Sequence, residues 1–146
     1  MALLAVLAAL SGCGVGPRRG GGAAGSVAAL ALRQRGEPYR FGGRSPSTGF
    51  DCSGLVQWVF GRFGYHLPRE AHEQYRVGLA VPRARLRKGD LVFFRVGRGR
   101  QPAHVGLYVG GGRFVHAPST GERVREDSLS NPYWRRHYMG ARRILP

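Results

Sequence analysis

Residues 52–64, CSGLVQWVFGRFG, place Leu55, Val56, Val59, Phe60 and Phe63 at three- and four-residue steps. That spacing lays apolar side chains along one face of a helix, and Gly64 stands where a helix stop is expected. From residue 91 the pattern changes. Leu91–Val96, Val105–Val109 and Arg113–Ala117 are short runs rich in Val, Phe and Tyr, separated by glycine-rich turns, and they read as strands. Further strands are expected near Arg123–Glu126 and over Gly140–Leu145. Helices first and strands later predict an α+β domain, with N-terminal helices packed on a central antiparallel sheet. Ser26 is placed to cap a helix running to about Arg35, with Val27, Leu30 and Ala31 on one face and Gly36 ending it. A shorter helix is expected over about 69–77. Residues 36–50, GEPYRFGGRSPSTGF, read as a long ordered loop. A chain of 146 residues with 42% hydrophobic content fits one domain of ordinary size.

Residues 2–10, ALLAVLAAL, form an apolar run that leads into Leu10-Ser11-Gly12-Cys13. As a helix the run covers about 14 Å, too short to cross a bilayer. It fits the apolar region of an export signal, although no Lys or Arg precedes it. The sequence L-S-G-C resembles a bacterial lipobox. That resemblance implies a signal peptide over 1–12 and a lipid on Cys13, which becomes the mature N-terminus at a membrane surface. Residues 13–25 then form a Gly-rich flexible tether, and residues 26–146 form the folded domain.

The charge is strongly one-sided: 23 Lys+Arg against 8 Asp+Glu, or +15 at pH 7. Such a balance predicts attraction to polyanions, whether nucleic acid, anionic lipid or anionic polysaccharide. However, Lys88 is the sole lysine and Ile144 the sole isoleucine, a bias that a G+C-rich coding sequence produces without any ligand. No nucleic-acid motif is present, and an export signal argues against a cytosolic partner.

Two cysteines are too few for a disulfide framework, and Cys13 and Cys52 read as having separate jobs. Cys52 follows Asp51 and opens the buried helix. There, free N–H groups and the helix dipole favour a thiolate and lower the cysteine pKa, as a nucleophile requires; the alternative is a small buried hydrophobe. A nucleophilic cysteine needs a base. His66, His72 and His137 sit beside turns or Arg-rich segments and read as solvated. His104 and His116 lie instead in predicted apolar strands joined by Gly110-Gly111-Gly112. A two-residue turn at 111–112 pairs residue 107 with 116 and puts the two imidazoles on opposite faces. A three-residue turn, or a bulge, pairs 106 with 116 and brings the histidines diagonally together, about 7–8 Å apart along the backbone. A catalytic pair therefore predicts the odd-length turn or the bulge.

Taken together, Gly49-Phe50-Asp51-Cys52-Ser53-Gly54-Leu55-Val56, Gly89-Asp90-Leu91-Val92-Phe93-Phe94, His104-Val105-Gly106-Leu107-Tyr108-Val109 and Phe114-Val115-His116-Ala117 resemble the NlpC/p60-type cell-wall cysteine peptidases. The tail, Asn131-Pro132-Tyr133-Trp134 with Gly140-Ala141-Arg142-Arg143, is similar to their lipoprotein murein endopeptidase branch. The resemblance runs from about residue 27 to the end. It implies a papain-like α+β fold and hydrolysis of amide bonds in peptidoglycan stem peptides; the lipobox resemblance, with Gly14 and not an aspartate after Cys13, adds the expectation of an exported enzyme anchored at the outer membrane if the envelope has two. It also implies a Cys–His–His set: Cys52 as nucleophile, His104 as base and acid, and His116 orienting His104. Tyr39 matches a tyrosine near the nucleophile and, with the Cys52 N–H, can meet an oxyanion. No cofactor or metal is implied, and a monomer is expected. Asp51 and Ser53 either bind a substrate amine or amide or cap the helix. Arg69 and Gln74 resemble a segment beside the groove, where Arg69 can meet a stem-peptide carboxylate. Asp90 reads as shaping the turn before its strand, and Trp58 as core or groove wall. Three rivals remain: zinc ligation by Cys52, His104 and His116, whose spacing matches no compact zinc pattern; a catalytically inactive peptidoglycan-binding domain; and a related Cys–His amidase.

Overall fold

The computed structural model describes residues 22–146; the apolar run, Cys13 and most of the tether lie outside them. The first helix, α1 (Gly22–Arg33), starts four residues before Ser26. Ser26 is therefore an exposed residue inside the helix rather than its cap, and residues 22–25 are helix rather than tether. Ala23 and Ala24 are strong helix formers, and Ala24 packs against the core, which extends the helix backward. Val27, Ala28 and Ala31 are its buried face.

Inside the long loop lies a small hairpin, β1 (Arg44–Ser45) and β2 (Gly49–Phe50). It leads directly into α2 (Cys52–Gly61), whose Leu55, Val56, Val59 and Phe60 are buried as the spacing predicts. The helix stops in a glycine-ended turn at Gly64. The Tyr65 N–H bonds back to the Phe60 carbonyl at 3.1 Å and the Gly64 N–H to Gly61 at 3.2 Å, with Gly64 at φ +84°. The next helix, α3 (Ala71–Gln74), is much shorter than the predicted 69–77. The sheet strands follow: β3 (Leu79–Val81), β4 (Leu91–Phe94), β5 (His104–Gly110), β6 (Arg113–His116) and β7 (Arg125–Ser128). A short helix α4 (Pro132–His137) precedes β8 (Tyr138–Arg143). β7 sits two residues later than expected, because Arg123 is taken by an isolated bridge to Pro38.

The fold is α+β. Six strands pair antiparallel in the order β3-β8-β4-β5-β6-β7. Both faces of the sheet are covered. Leu91, Phe93, Val105, Leu107 and Val115 pack on α1 and α2, while Val92, Phe94 and Phe114 face the other way onto Trp134 of α4. This double burial explains why Leu91–Phe94 is uniformly apolar and does not alternate. Asp90, at the entry to β4, does shape its turn: its carboxylate accepts the Arg87 N–H at 2.8 Å and pairs with Arg143 on β8 at 2.8 Å.

Candidate active site

The first turn of α2 is assembled from local sequence. Asp51 is its N-cap, and its Oδ1 accepts the Gly54 N–H at 2.7 Å. The loop carrying β1 and β2 closes over that turn so tightly that a Cβ on Gly54 would overlap the carbonyl of Gly43. Glycine after Asp-Cys-Ser is thus a packing requirement. The guanidinium of Arg69 grips Asp51 at both oxygens, at 3.0 and 2.7 Å, and also donates to Ser53 Oγ at 2.9 Å. The cap reading of Asp51 therefore holds, Ser53 is buried, and Arg69 is engaged internally. Gln74 is fully buried and donates to the carbonyls of Ser53 and Pro68 from behind the turn. Trp58 is half-buried against the helix-side core, tilted against Phe50 at 5.7 Å.

Cys52 is left with part of its surface open. Its thiol donates to the carbonyl of Ala103 at 3.9 Å, so the sulfur lies at the end of the strand that His104 opens. Burial pushes the thiol up to about 11. The N–H groups of Val105, Ser53 and Cys52 pull the other way and Asp51 adds to the rise. The helix start alone predicted a lowered value; desolvation outweighs it. Tyr39 is half-buried beside this turn, and its phenol is pushed up by burial and by the neighbouring Cys52 and Asp51.

The histidines meet as the bulge geometry requires. Gly111 and Gly112 form the tight turn, both with positive φ, and Gly110 pairs with Arg113. A bulge between Tyr108 and Gly110 then shifts the register, so that Leu107 pairs with Val115. His104 and His116 consequently share one face. His104 Nε2 lies 2.7 Å from His116 Nδ1. Both imidazoles are buried, at 4% and 0% exposure. Burial lowers the pKa of His104 to about 3, with His116 and Arg125 adding to the drop and Asp127 opposing it. Burial lowers that of His116 too, against the pull of Asp127. Among the other histidines, His66 is exposed and His72 and His137 are half-buried, none of them within this group.

Two residues at this site were not anticipated. Trp134 stacks on His104 at 5.2 Å and 22° and meets His116 edge-on at 4.8 Å. Asp127 Oδ2 accepts from His116 Nε2 at 2.6 Å and from Arg125 Nε at 2.8 Å. Asn131-Pro132 is a legible helix start, with the Asn131 side chain accepting the Tyr133 N–H at 2.9 Å, and it announces α4. For Asp127 the pairing register of β6 with β7 decides, and no residue pattern announces it. A cleft of about 430 Å³ opens beside His104, lined by Glu122, Arg125, Asp127, Tyr133 and Trp134 among others.

The chemistry-bearing groups are a thiol at a helix start, bonded to the carbonyl of the residue before His104, and two buried imidazoles bonded to each other on an antiparallel sheet. The NlpC/P60 family model matches residues 36–143, and the chain belongs to that family. It is 51% identical over 118 residues to murein DD-endopeptidase MepH of Escherichia coli (strain K12), covering 78% of this chain and 43% of that protein. It is 50% identical over 113 residues to murein DD-endopeptidase MepS/murein LD-carboxypeptidase of the same organism, covering 76% and 57%. Among solved structures, an NlpC/P60 family protein from Bacillus cereus ATCC 10987 matches with a TM-score of 0.79 at 36% identity, over 84% of this chain and 40% of that one. The chain spans about half the length of the curated relatives it matches.

Proposed function

We propose that this protein is a cysteine peptidase that hydrolyses amide bonds in the stem peptides of peptidoglycan. The observation that carries the proposal is the Cys52 thiol at the end of the strand that begins with His104, with His104 itself bonded to His116. Membership of a family whose matched members are named murein endopeptidases supplies the substrate class.

With the thiol pushed up and His104 pushed down, the resting pair is neutral. The thiol proton then passes to His104 as Sγ attacks the scissile carbonyl, in one step with substrate closure over the site. The carbonyl oxygen, now an oxyanion, takes hydrogen bonds from the Cys52 N–H and the Tyr39 hydroxyl. The His104 imidazolium gives its proton to the leaving amine as the C–N bond breaks, leaving a thioester on Cys52. Water, deprotonated by His104, hydrolyses the thioester and restores the thiol. His116 holds the His104 ring throughout. Asp51, Ser53 and Arg69 build the floor of the site, and Asp51 and Arg69 keep partial exposure toward substrate. The two DD-endopeptidase relatives favour the D-alanyl–diamino acid cross-link over the D-glutamyl–diamino acid bond. Cys13 is the point of lipid attachment after export, which holds a monomeric enzyme at the envelope membrane, the outer one in a two-membrane cell. The +15 charge supports a salt-sensitive hold on the anionic wall.

Digestion of purified peptidoglycan, with products identified by mass spectrometry, tests the proposal. Wild type is expected to release peptide-cleaved muropeptides that Cys52→Ala does not, and the product masses distinguish the two bonds. Identical product lists from the two proteins overturn the enzymatic reading and leave a wall-binding domain; release of a free stem peptide from the glycan points to an amidase.

A further inference from the structure

His116 is hemmed in on every side. Asp127 and Arg125 face it from β7 and Glu122 from the turn before, His104 faces it from β5, and Phe114 and Trp134 close the apolar sides. Each of its ring nitrogens has one close partner: Nδ1 meets His104 Nε2 at 2.7 Å, and Nε2 meets Asp127 Oδ2 at 2.6 Å. The Asp127 oxygen also accepts from Arg125, whose guanidinium reaches Glu122 at 3.2 Å. An ionised carboxylate can only accept, so the proton between Asp127 and His116 belongs to His116 Nε2. A neutral imidazole carries a single N–H. His116 Nδ1 is therefore a bare lone pair, and the 2.7 Å contact forms only if His104 Nε2–H donates to it. His104 is then left with Nδ1 unprotonated, and among the described residues that nitrogen makes no hydrogen bond.

We propose that Asp127 is a positioning residue that sets the tautomers of His116 and, through it, of His104, so that the base nitrogen is ready for the Cys52 proton. The reverse chain, with His116 Nδ1–H donating to His104 Nε2, puts the His104 proton on Nδ1 and leaves His104 no unengaged ring nitrogen to take a proton. It also sets a bare His116 Nε2 against a carboxylate, two acceptors at 2.6 Å in a buried place. Arg125 keeps the carboxylate ionised and aimed. When His104 becomes an imidazolium, Asp127 stabilises the charge through His116, which a neutral histidine does poorly alone.

The proposal rests on Cys52 and His104 being the reactive pair, and the two claims separate by experiment. Nitrogen-15 chemical shifts of the imidazoles read the tautomers directly and need no activity. Wild type is expected to show both histidines as the Nε2–H form, and either one as Nδ1–H overturns the proposal. In Asp127→Asn, of the same shape, the amide can donate to His116 Nε2. The expected result is a shift of His116 toward Nδ1–H and a fall in kcat of about 100- to 1,000-fold at nearly unchanged KM, with Asp127→Glu recovering part of the loss. An Asp127→Asn protein with wild-type kcat, or with unmoved nitrogen shifts, also overturns it. Should that variant fail to fold, the wild-type spectrum decides. Should wild type show the predicted tautomers but cut no peptidoglycan, the proposed function fails and the tautomer assignment stands.

Discussion

The two faces of the central sheet are built from the same strands and solve different problems. On the helix face, Val105, Leu107 and Val115 belong to one core with the aliphatic and aromatic side chains of α1 and α2, and the buried Ser53 and Gln74 serve the first turn of α2. On the opposite face, alternate residues of β5 and β6 put two imidazoles among Phe94, Phe114 and Trp134. The helix face is a packing core that fixes where α2 begins, and hence where Cys52 stands. The aromatic face is a low-dielectric housing that keeps the histidines neutral and their hydrogen bonds strong. The thiol is thus positioned from one side of the sheet and the imidazoles are housed on the other.

The sharpest test of that division compares Phe60→Ala with Trp134→Ala. Each removes a large, almost fully buried ring and is expected to cost about 3–5 kcal/mol in chemical denaturation. Only Trp134→Ala should also lower kcat of the folded fraction, because His104 loses its stacking surface. An equal fall in kcat for Phe60→Ala would break the comparison.

Next in size is the response to acid. The buried His104 resists protonation down to about 3, whereas the unfolded imidazole takes a proton near 6.5. Between those values the unfolded chain binds more protons, so stability falls as pH drops from about 6.5 toward 3. His104→Gln removes that term. Thermal unfolding followed from pH 7 to pH 4 should show wild type losing more stability than the variant. Parallel curves would mean that the aromatic face does not exclude charge.

A glycine pair probes the same contrast more gently. A Cβ on Gly106 would press into the Phe114 ring at 2.6 Å and crowd the Val115 carbonyl and His116 Cβ. Gly106→Ala should therefore cost about 1–3 kcal/mol and reduce activity by displacing His116. Gly61, on the exposed end of α2, has nothing within 4 Å of its would-be Cβ. Gly61→Ala should add roughly 0.5–1 kcal/mol with unchanged kcat. The smallest effect is electrostatic: added salt should weaken retention on peptidoglycan while sparing cleavage of small soluble peptides.

Much of the helix face was legible residue by residue. The three- and four-residue spacing of Leu55, Val56, Val59 and Phe60 located α2, Gly64 marked its stop, and β4, β5 and β6 fell within a residue or two of the apolar runs. The late β7 has its cause in a partner distant in sequence, since Arg123 bridges to Pro38, and the early start of α1 owes part of its length to the packing of Ala24 on the core. The histidine pair was readable as a conditional, since period-2 alternation left two registers and only one of them paired the imidazoles. Arg69 was visible as a residue beside the groove, but its engagement with Asp51 was not, because a guanidinium's partner depends on where the intervening residues fold.

The amino-acid order by itself determined the α+β succession, the cysteine at a helix start and the two candidate imidazoles, because helix and strand periods and cap residues act over a few neighbours. Three matters were decided only by the tertiary structure. The bulge between Tyr108 and Gly110 put both histidines on one face. Burial of Cys52 overrode the helix dipole and kept the thiol protonated. The register of β7 brought Asp127 to His116. Register, desolvation and hydrogen-bond partnership are properties of groups far apart in the chain, and they acquire values only once the strands have paired.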